Sequence, residues 1–446
     1  MNKPTSSTPL RPSACPGLLR IVPALDGGIC RIKLTGGSIT SRQANAVAEA
    51  AERYATGVIE ATNRGNLQIR GIGSEQDALI ALLLDAGLGP STAAGDDVRN
   101  LMLSPTAGLD PQRLFDTRPL AEQILDTLQS HPRFHDLSPK FALSLDGGEA
   151  LVMLEHPHDL WLSALNVEGE TLLAFGLTGC PASDAPLAAV PLDQAHELVV
   201  AVLEAFLDLA RPEQTRMRHL LAEISIAAFL ESLCARLSVA LRRDHVITGW
   251  HRPAASANGH LGIYPQDTSA WVAVGGAVPL GRLDASMLRS VAQLASEWGD
   301  GTLRLTPWQS LLLPNVRAQS AAVLLTGLQA AGLICNAQQP LAHMIACTGS
   351  AGCGKGLADT KTDAVQLAAT FERNGLSRPV HLSGCSRSCA AAHVVPVTLL
   401  AVSAGHYDLY FRDPQQPGLG VLRARDLTIE AVGALLAADS RSNTHD

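Results

Sequence analysis

Residues 56–72 read TGVIEATNRGNLQIRGI, and residues 300–316 read DGTLRLTPWQSLLLPNV. Set one above the other, Thr62 falls on Thr306 and Leu67 on Leu311. Each stretch follows an alanine-rich segment of helical character, SRQANAVAEAAERYA (41–55) and DASMLRSVAQLASEW (284–298). Each precedes another, EQDALIALLLDAGL (75–88) and SAAVLLTGLQAAGL (320–333). A pattern of strand, helix, strand, helix is therefore written twice, and such internal repeats dictate architecture before any local propensity does. Alternating strands and helices predict a mixed α/β (α+β) fold.

The halves continue in parallel. Residues 98–149 and 344–390 both predict a loop, a helix and a strand, but only the second copy carries cysteines. Between the halves, 191–243 is rich in Leu, Ala and charge and predicts a helical connector. GWHRPAASANGHLG (249–262) reads as a loop entering the second half. The expected units are 1–90, 91–190, the connector 191–243, 244–340 and 341–446, with pseudo-twofold symmetry between the halves.

A chain of 446 residues exceeds one ordinary core and suits two to four domains. At 46% hydrophobic it can bury a large interior. A net charge of −8 disfavours generic nucleic-acid binding and polybasic membrane attachment, while allowing a local basic pocket. MNKPTSSTPLRPSACPG at the N-terminus has no apolar signal core, and the apolar stretches are short or broken by charge. A reducing cytoplasm without a membrane span is the expectation.

The second half also holds the chemistry. Cys347 and Cys353 form C-x5-C in ACTGSAGCGKG, and Cys385 and Cys389 form C-x3-C in SGCSRSCA. Thiolates suit soft metals, and a cubane iron–sulfur cluster needs four of them. Gly349, Gly352, Gly354, Gly356 and Gly384 allow backbone to approach closely and aim N–H groups at sulfur. Structural zinc prefers shorter spacings, though zinc and unligated thiols remain the alternative readings. Gly349 to Lys355 also matches G-x-x-x-x-G-K, but Gly356 stands where a nucleotide loop needs Ser or Thr. Cys15, Cys30, Cys180, Cys234 and Cys335 stand apart and read as ordinary thiols, with a functional reading also open for Cys15. GGAVPLG (275–281) lacks the context of a dinucleotide fingerprint, and no nucleophile elbow occurs.

The paired cysteine spacing and the duplication resemble the sulfite/nitrite reductase superfamily, from about Cys15 onward. Within it, ACPGLLRIVPALDGGICRIKL (14–34), LTPWQSLLLP (305–314) and GCSRSCA running into VVPVTLLAV resemble the precorrin-3B synthase branch. The resemblance implies duplicated ferredoxin-like half domains, each followed by a cluster-type α/β domain, with a tetrapyrrole between the halves. It implies that Cys347, Cys353, Cys385 and Cys389 hold a 4Fe–4S cluster. In TNRGNLQIRG, Arg64, Gln68 and Arg70 are expected to bind substrate, with Arg99 of VRN and Lys140 of LSPKFALS. Gln68 and Arg70 would share a strand face, and guanidinium suits a polycarboxylate. Ala142 replaces the second lysine of the reductases' K-x-K pair. The bland reading of each cation is solvated surface charge.

The branch implies an oxygen-dependent monooxygenase. It would convert precorrin-3A to precorrin-3B by meso-carbon hydroxylation with ring A lactone formation, in aerobic cobalamin biosynthesis. Its implied partners are precorrin-3A, molecular oxygen and an external electron-donor protein carrying NADH-derived electrons. A mononuclear non-haem iron is also implied. HPHD (His156, His158, Asp159) and HPRFHD (His131, His135, Asp136) are its candidate ligands. The alternative is a siroheme-dependent sulfite or nitrite reductase, in which Cys389 would bridge cluster and siroheme. A third reading is a non-catalytic tetrapyrrole or cluster carrier.

Overall fold

The computed structural model describes residues 15–442 except 414, 415 and 417. Most of the N-terminal segment judged free of a signal core therefore lies outside the described residues. The first half begins with β1 (Val22–Ala24), β2 (Gly27–Ile32), β3 (Ser38–Thr40), β4 (Val58–Ala61) and β5 (Leu67–Ile72). An α/β unit follows, with β6 (Leu101–Leu103), β7 (Leu143–Asp146), β8 (Leu160–Val167), β9 (Glu170–Leu177) and β10 (Ala188–Pro191). The second half repeats this with β11 (Gly262–Pro265), β12 (Trp271–Ala277), β13 (Arg282–Asp284), β14 (Thr302–Leu305) and β15 (Ser310–Arg317). Its α/β unit holds β16 (Met344–Ala346), β17 (Val380–Ser383), β18 (Val397–Ser403), β19 (His406–Phe411) and β20 (Val421–Thr428).

The two half domains are one folded body. Their sheets run β1-β2-β5-β4-β13 and β11-β12-β15-β14-β3, so each half lends one short strand to the other's sheet edge. Arg282 pairs with Glu60 across β13 and β4, and Ser38 pairs with Arg304 across β3 and β14. Helices Ser41–Tyr54 and Ala285–Trp298 pack against each other over a single core that contains Val47, Ile59 and Ile69 together with Val291, Leu303 and Leu313. Thr40 and Asp284 cap these helices at equivalent positions, accepting from the N–H groups of Gln43 and Met287.

The repeat that opens the sequence is a hairpin turn built twice. The Thr62 hydroxyl accepts from the backbone of Arg64 and Asn66, and the Thr306 hydroxyl accepts from Trp308 and Ser310. Gly65 (φ 65°) and Gln309 (φ 58°) take the same left-handed position. The expected alignment of Thr62 with Thr306 is thus a shared geometry.

Each α/β unit has two parallel strand pairs followed by two antiparallel ones: β6-β7-β8-β9-β10 and β16-β17-β18-β19-β20. Residues 195–209 and 226–234, expected in a connector, form helices that pack into the core of the first unit beside Phe141, Phe175 and Leu128. Among the described residues no helix is long and apolar enough to cross a membrane.

Candidate functional site: a thiol-lined cleft between sheet and loop

Cys347 directly follows β16, Cys353 lies in the glycine-rich loop beyond it, and Cys385 and Cys389 follow β17. The loops meet closely. The Gly384 N–H points at Cys347 Sγ at 3.2 Å. Gly349 is left-handed (φ 66°), and a Cβ on Gly356 would lie 2.5 Å from the Gly349 carbonyl carbon, so only glycine lets these strands of loop cross. Burial raises the Cys389 thiol, and Cys385, Cys347 and Cys353 raise it further, so all four thiols share one electrostatic neighbourhood. Four soft donors in a glycine cradle with a backbone N–H aimed at sulfur fit a 4Fe–4S cluster.

A cavity of about 560 Å³ opens in front of these thiols, within the range of small-molecule sites. Its far wall is the outer face of the first sheet: Ile29 and Arg31 of β2, Gln68 and Arg70 of β5. Strand alternation places each pair on that face. Lys355, Lys361 and Arg387 complete the positive lining, with Glu60 as its buried acid.

Residues of β4 and β5 also hold the cysteine loops in place. Arg70, its side chain 6% exposed, binds Asp26 through two bonds of 2.9 Å and donates to the Gly352 carbonyl at 3.1 Å. Asn63 donates to the carbonyls of Cys389 (3.3 Å) and Ala390 (3.2 Å). Glu60 accepts from Arg282 (2.9 Å) and from the Thr348 hydroxyl (3.2 Å), with Lys361 at 3.8 Å. Burial alone would raise the Glu60 carboxyl, but Lys361, Arg70 and Arg282 outweigh it and hold the group below its ordinary range.

The expected substrate cations divide. Gln68 and Arg70 line the cavity, although Arg70 is committed to Asp26 and Gly352. With its oxygen facing Arg31, the Gln68 amide accepts from Nε (3.0 Å) and Nη2 (2.7 Å). Arg64 is half-buried next to the lining residues Thr62 and Asn63, and among the described residues its guanidinium makes no hydrogen bond or ion pair. Burial, then the charges of Arg216 and Arg31, pull its pKa down to about 10, which leaves it cationic at neutral pH. Arg99 lies elsewhere. It lines a separate cavity of about 250 Å³ with Lys33, Glu122 and Gln129, bonded to the Gly89 carbonyl and 3.6 Å from Asp96. Lys140 is exposed and lines neither cavity, and Ala142 is buried with its N–H on Asp159. Sequence reasoning missed Arg31, Glu60, Asn63 and Lys361. The alternation of GGICRIKL could have placed Arg31, which pairs directly with Gln68 across the strands.

Neither proposed iron motif makes a ready site. Among the described residues no three His, Cys, Asp or Glu side chains converge on a point that would hold a single metal ion. Asp159 is taken by Arg216 at 2.8 Å and by the N–H groups of Ala142 and Met217. His135 Nε2 is bonded to the Gln129 carbonyl, and His131 packs on Phe134.

The pseudo-twofold mate of the cleft is filled. Counting along matched strands, Ser104 and Asp110 occupy the places of Cys347 and Cys353, while Gly275, Trp308 and Leu312 occupy those of Arg31, Arg64 and Gln68. Asp110 accepts there from Tyr264 (2.7 Å), Thr106 and the N–H groups of Ala150 and Leu151. Leu151, Tyr264, Ala273, Leu312 and Trp308 pack together around it.

A ferredoxin-like half domain of nitrite and sulfite reductases matches residues 23–86 and again 264–331, and the nitrite and sulphite reductase 4Fe-4S domain matches 94–241. The chain belongs to the nitrite and sulfite reductase family. Within this family it is 34% identical over 394 residues to a chloroplastic ferredoxin–nitrite reductase of Zea mays, covering 82% of the chain and 68% of the maize protein. It is 27% identical to a precorrin-3B synthase of Sinorhizobium sp., covering 89% of the chain and 82% of that protein. The chain spans 65% of the length of the rice and spinach nitrite reductases. The structure of the Mycobacterium tuberculosis NirA protein superposes with a TM-score of 0.76 at 22% identity, over 93% of this chain and 80% of that one, and shows the same fold. The family's relatives are oxidoreductases, and its 4Fe-4S domain model falls on the copy without the paired cysteines, whose duplicate carries them.

Proposed function

We propose that the chain is an oxygen-dependent monooxygenase of the precorrin-3B synthase type, acting on precorrin-3A. The observation that carries this reading is the cleft itself: four thiols on one wall and Arg31, Gln68 and the unpaired Arg64 on or beside the other. A tetrapyrrole bearing acetate and propionate groups would lie between them. The planar forks of Arg31 and Arg64 suit its carboxylates, and holding a flexible polyanion in one pose governs which carbon reacts. Cys347, Cys353, Cys385 and Cys389 would hold a 4Fe–4S cluster, which when bound supplies electrons one at a time. They would come from NADH through a separate one-electron carrier. The balance is one C–H bond, one O2, two electrons and two protons giving one C–OH and one water. Ala142 in place of a lysine, and the outward position of Lys140, leave the cleft short of the cations that the reductases are expected to use on a small anion.

The 34% identity to the maize nitrite reductase favours a second reading, a siroheme-dependent reductase. The absorption spectrum of anaerobically purified protein separates the two. The first reading expects a broad iron–sulfur shoulder without siroheme bands, with precorrin-3A binding weakened about ten-fold by Arg64→Ala, the loss of one charge-assisted contact of roughly 1–3 kcal/mol. Stoichiometric siroheme in the isolated protein would overturn it.

A further inference from the structure

The two α/β units meet at a pair of histidines. Leu160 and Val397 hold the same register position in the central strands of their sheets, opposite the first residues of β7 and β17. Four residues before them stand His156 and His393, which are therefore pseudo-twofold mates. Their rings lie 5.1 Å apart, tilted by 33°, so the pseudo-axis passes between them. His158 follows on the same loop and His381 lies in β17.

This group is buried but not bonded. His156, His158 and His381 are 1%, 3% and 1% exposed. Both ring nitrogens of His156, both of His158, Nδ1 of His393 and Nε2 of His381 lack a partner within normal hydrogen-bond geometry, although the His156 backbone lies near enough to the His158 ring to raise it against the effect of burial. A fold does not leave buried polar nitrogens unanswered without cause. The rings are held neutral: burial first, then neighbouring positive charge, lowers His158 to about 3, and burial lowers His381 to about 4. A neutral imidazole offers one donor and one acceptor, the arrangement that passes a proton on.

The group also has a direction. Exposed Glu155 and Arg412 bear on half-buried His393, and His393 bears on His156 and on His381. His158 and Arg64 bear on His156, and Arg64 and Arg216 bear on His158. Arg64 adjoins Asn63 and Thr62 in the cavity wall. Electrostatic neighbours therefore run from exposed Glu155 through these rings to Arg64, and the His156–His393 ring contact lies within that series.

We propose that His393, His156 and His158 form a proton file leading from the surface at Glu155 to the Arg64 edge of the cavity. The inference rests on the reductive oxygen chemistry proposed above, in which every pair of electrons entering the cleft must be matched by two protons, with water as the product. Each imidazole takes a proton on one nitrogen and releases one from the other, which leaves the opposite tautomer, so each ring must tautomerise back or flip before the next transfer. The three rings are positioning residues in this scheme, since they act through the cavity edge.

The test uses cluster-loaded holoprotein with tetrapyrrole bound. Flash photoreduction in the presence of a pH-indicator dye reads proton uptake directly, whichever substrate is turned over. His156→Gln keeps the ring's approximate volume and polarity, and His393→Ala removes the half-buried ring near solvent. Both are expected to retain the parent's cluster spectrum and tetrapyrrole affinity while slowing proton uptake at least ten-fold, with a larger solvent deuterium isotope effect. Added imidazole should restore the His393→Ala rate. Parent-like uptake in both variants, or no reduction-linked uptake in the parent, overturns the file. A separate product assay on the parent decides the oxygenase reading, so the two can fail independently.

Discussion

At the scale of single residues, the cleft depends on side chains with two duties. Arg70 was expected from its motif to meet a ligand, and it does line the cavity, but its guanidinium is spent on Asp26 and on the carbonyl of Gly352 next to Cys353. Removing Arg70 leaves Asp26, 25% exposed and still in reach of water, and the Gly352 carbonyl without their donor, which costs about 1–3 kcal/mol. Arg70→Ala should therefore lower stability by about that much and cut iron retention, as read by urea unfolding and by iron analysis. Near-parent values for both would show that the Cys353 loop stands without it. The strand face of Arg70 was legible because alternation is local. Its partner Asp26, 44 positions away, was not. The position of Arg99 was hidden for the same reason, since a motif names a residue but not the direction in which Asp96 and the Gly89 carbonyl draw it.

Glu149 offers a test in pH. Burial, then Asp146, pushes its carboxyl up to about 8 from an ordinary 4.5, and one oxygen has no partner. The native state thus binds a proton that the unfolded chain has released between those values. By linkage, this group's contribution is complete below about 4.5 and is lost as pH rises through about 8. Glu149→Gln should flatten the fall in stability across that window, measured as denaturant midpoints at several pH values. An unchanged slope would show that Glu149 is ionised in the native protein.

At the scale of elements, the duplicated hairpin was readable because its turn is set by residues close in sequence, Thr62 with Asn66 and Thr306 with Ser310. The exchange of β3 and β13 was hidden. Each has three residues, and each pairs with a strand of the other half. Gly37, just before β3, shows what the exchange demands. It is left-handed (φ 70°), and a Cβ there would sit 2.0 Å from the Leu305 carbonyl oxygen, on the strand that receives β3. Gly37→Ala should cost at least the 1–2 kcal/mol of a left-handed alanine, with the clash added. Thermal unfolding measures it, and a loss under about 0.5 kcal/mol, below that penalty, would mean the exchanged edge gives way easily.

At the scale of the whole molecule, duplication explains why there is one cleft and where it lies. The two copies share a core and a topology, but only one keeps thiols opposite cations. In the other, Asp110 and Tyr264 occupy the space under Trp308 and Leu312. The cysteine pairs, and the lack of them in the first copy, already pointed to one site. The filled mate was not visible in sequence, because Tyr264 and Leu151 reach Asp110 from different domains. The same symmetry brings His156 against His393 at the axis. In the proposed function this cleft inserts oxygen into a tetrapyrrole held by cations opposite the four thiols. Mass spectrometry of the product formed from precorrin-3A under 18O2, with a one-electron donor supplied, tests it most directly. The expected product is a tetrapyrrole carrying one labelled oxygen atom; unaltered precorrin-3A alongside active reduction of nitrite would contradict the monooxygenase reading.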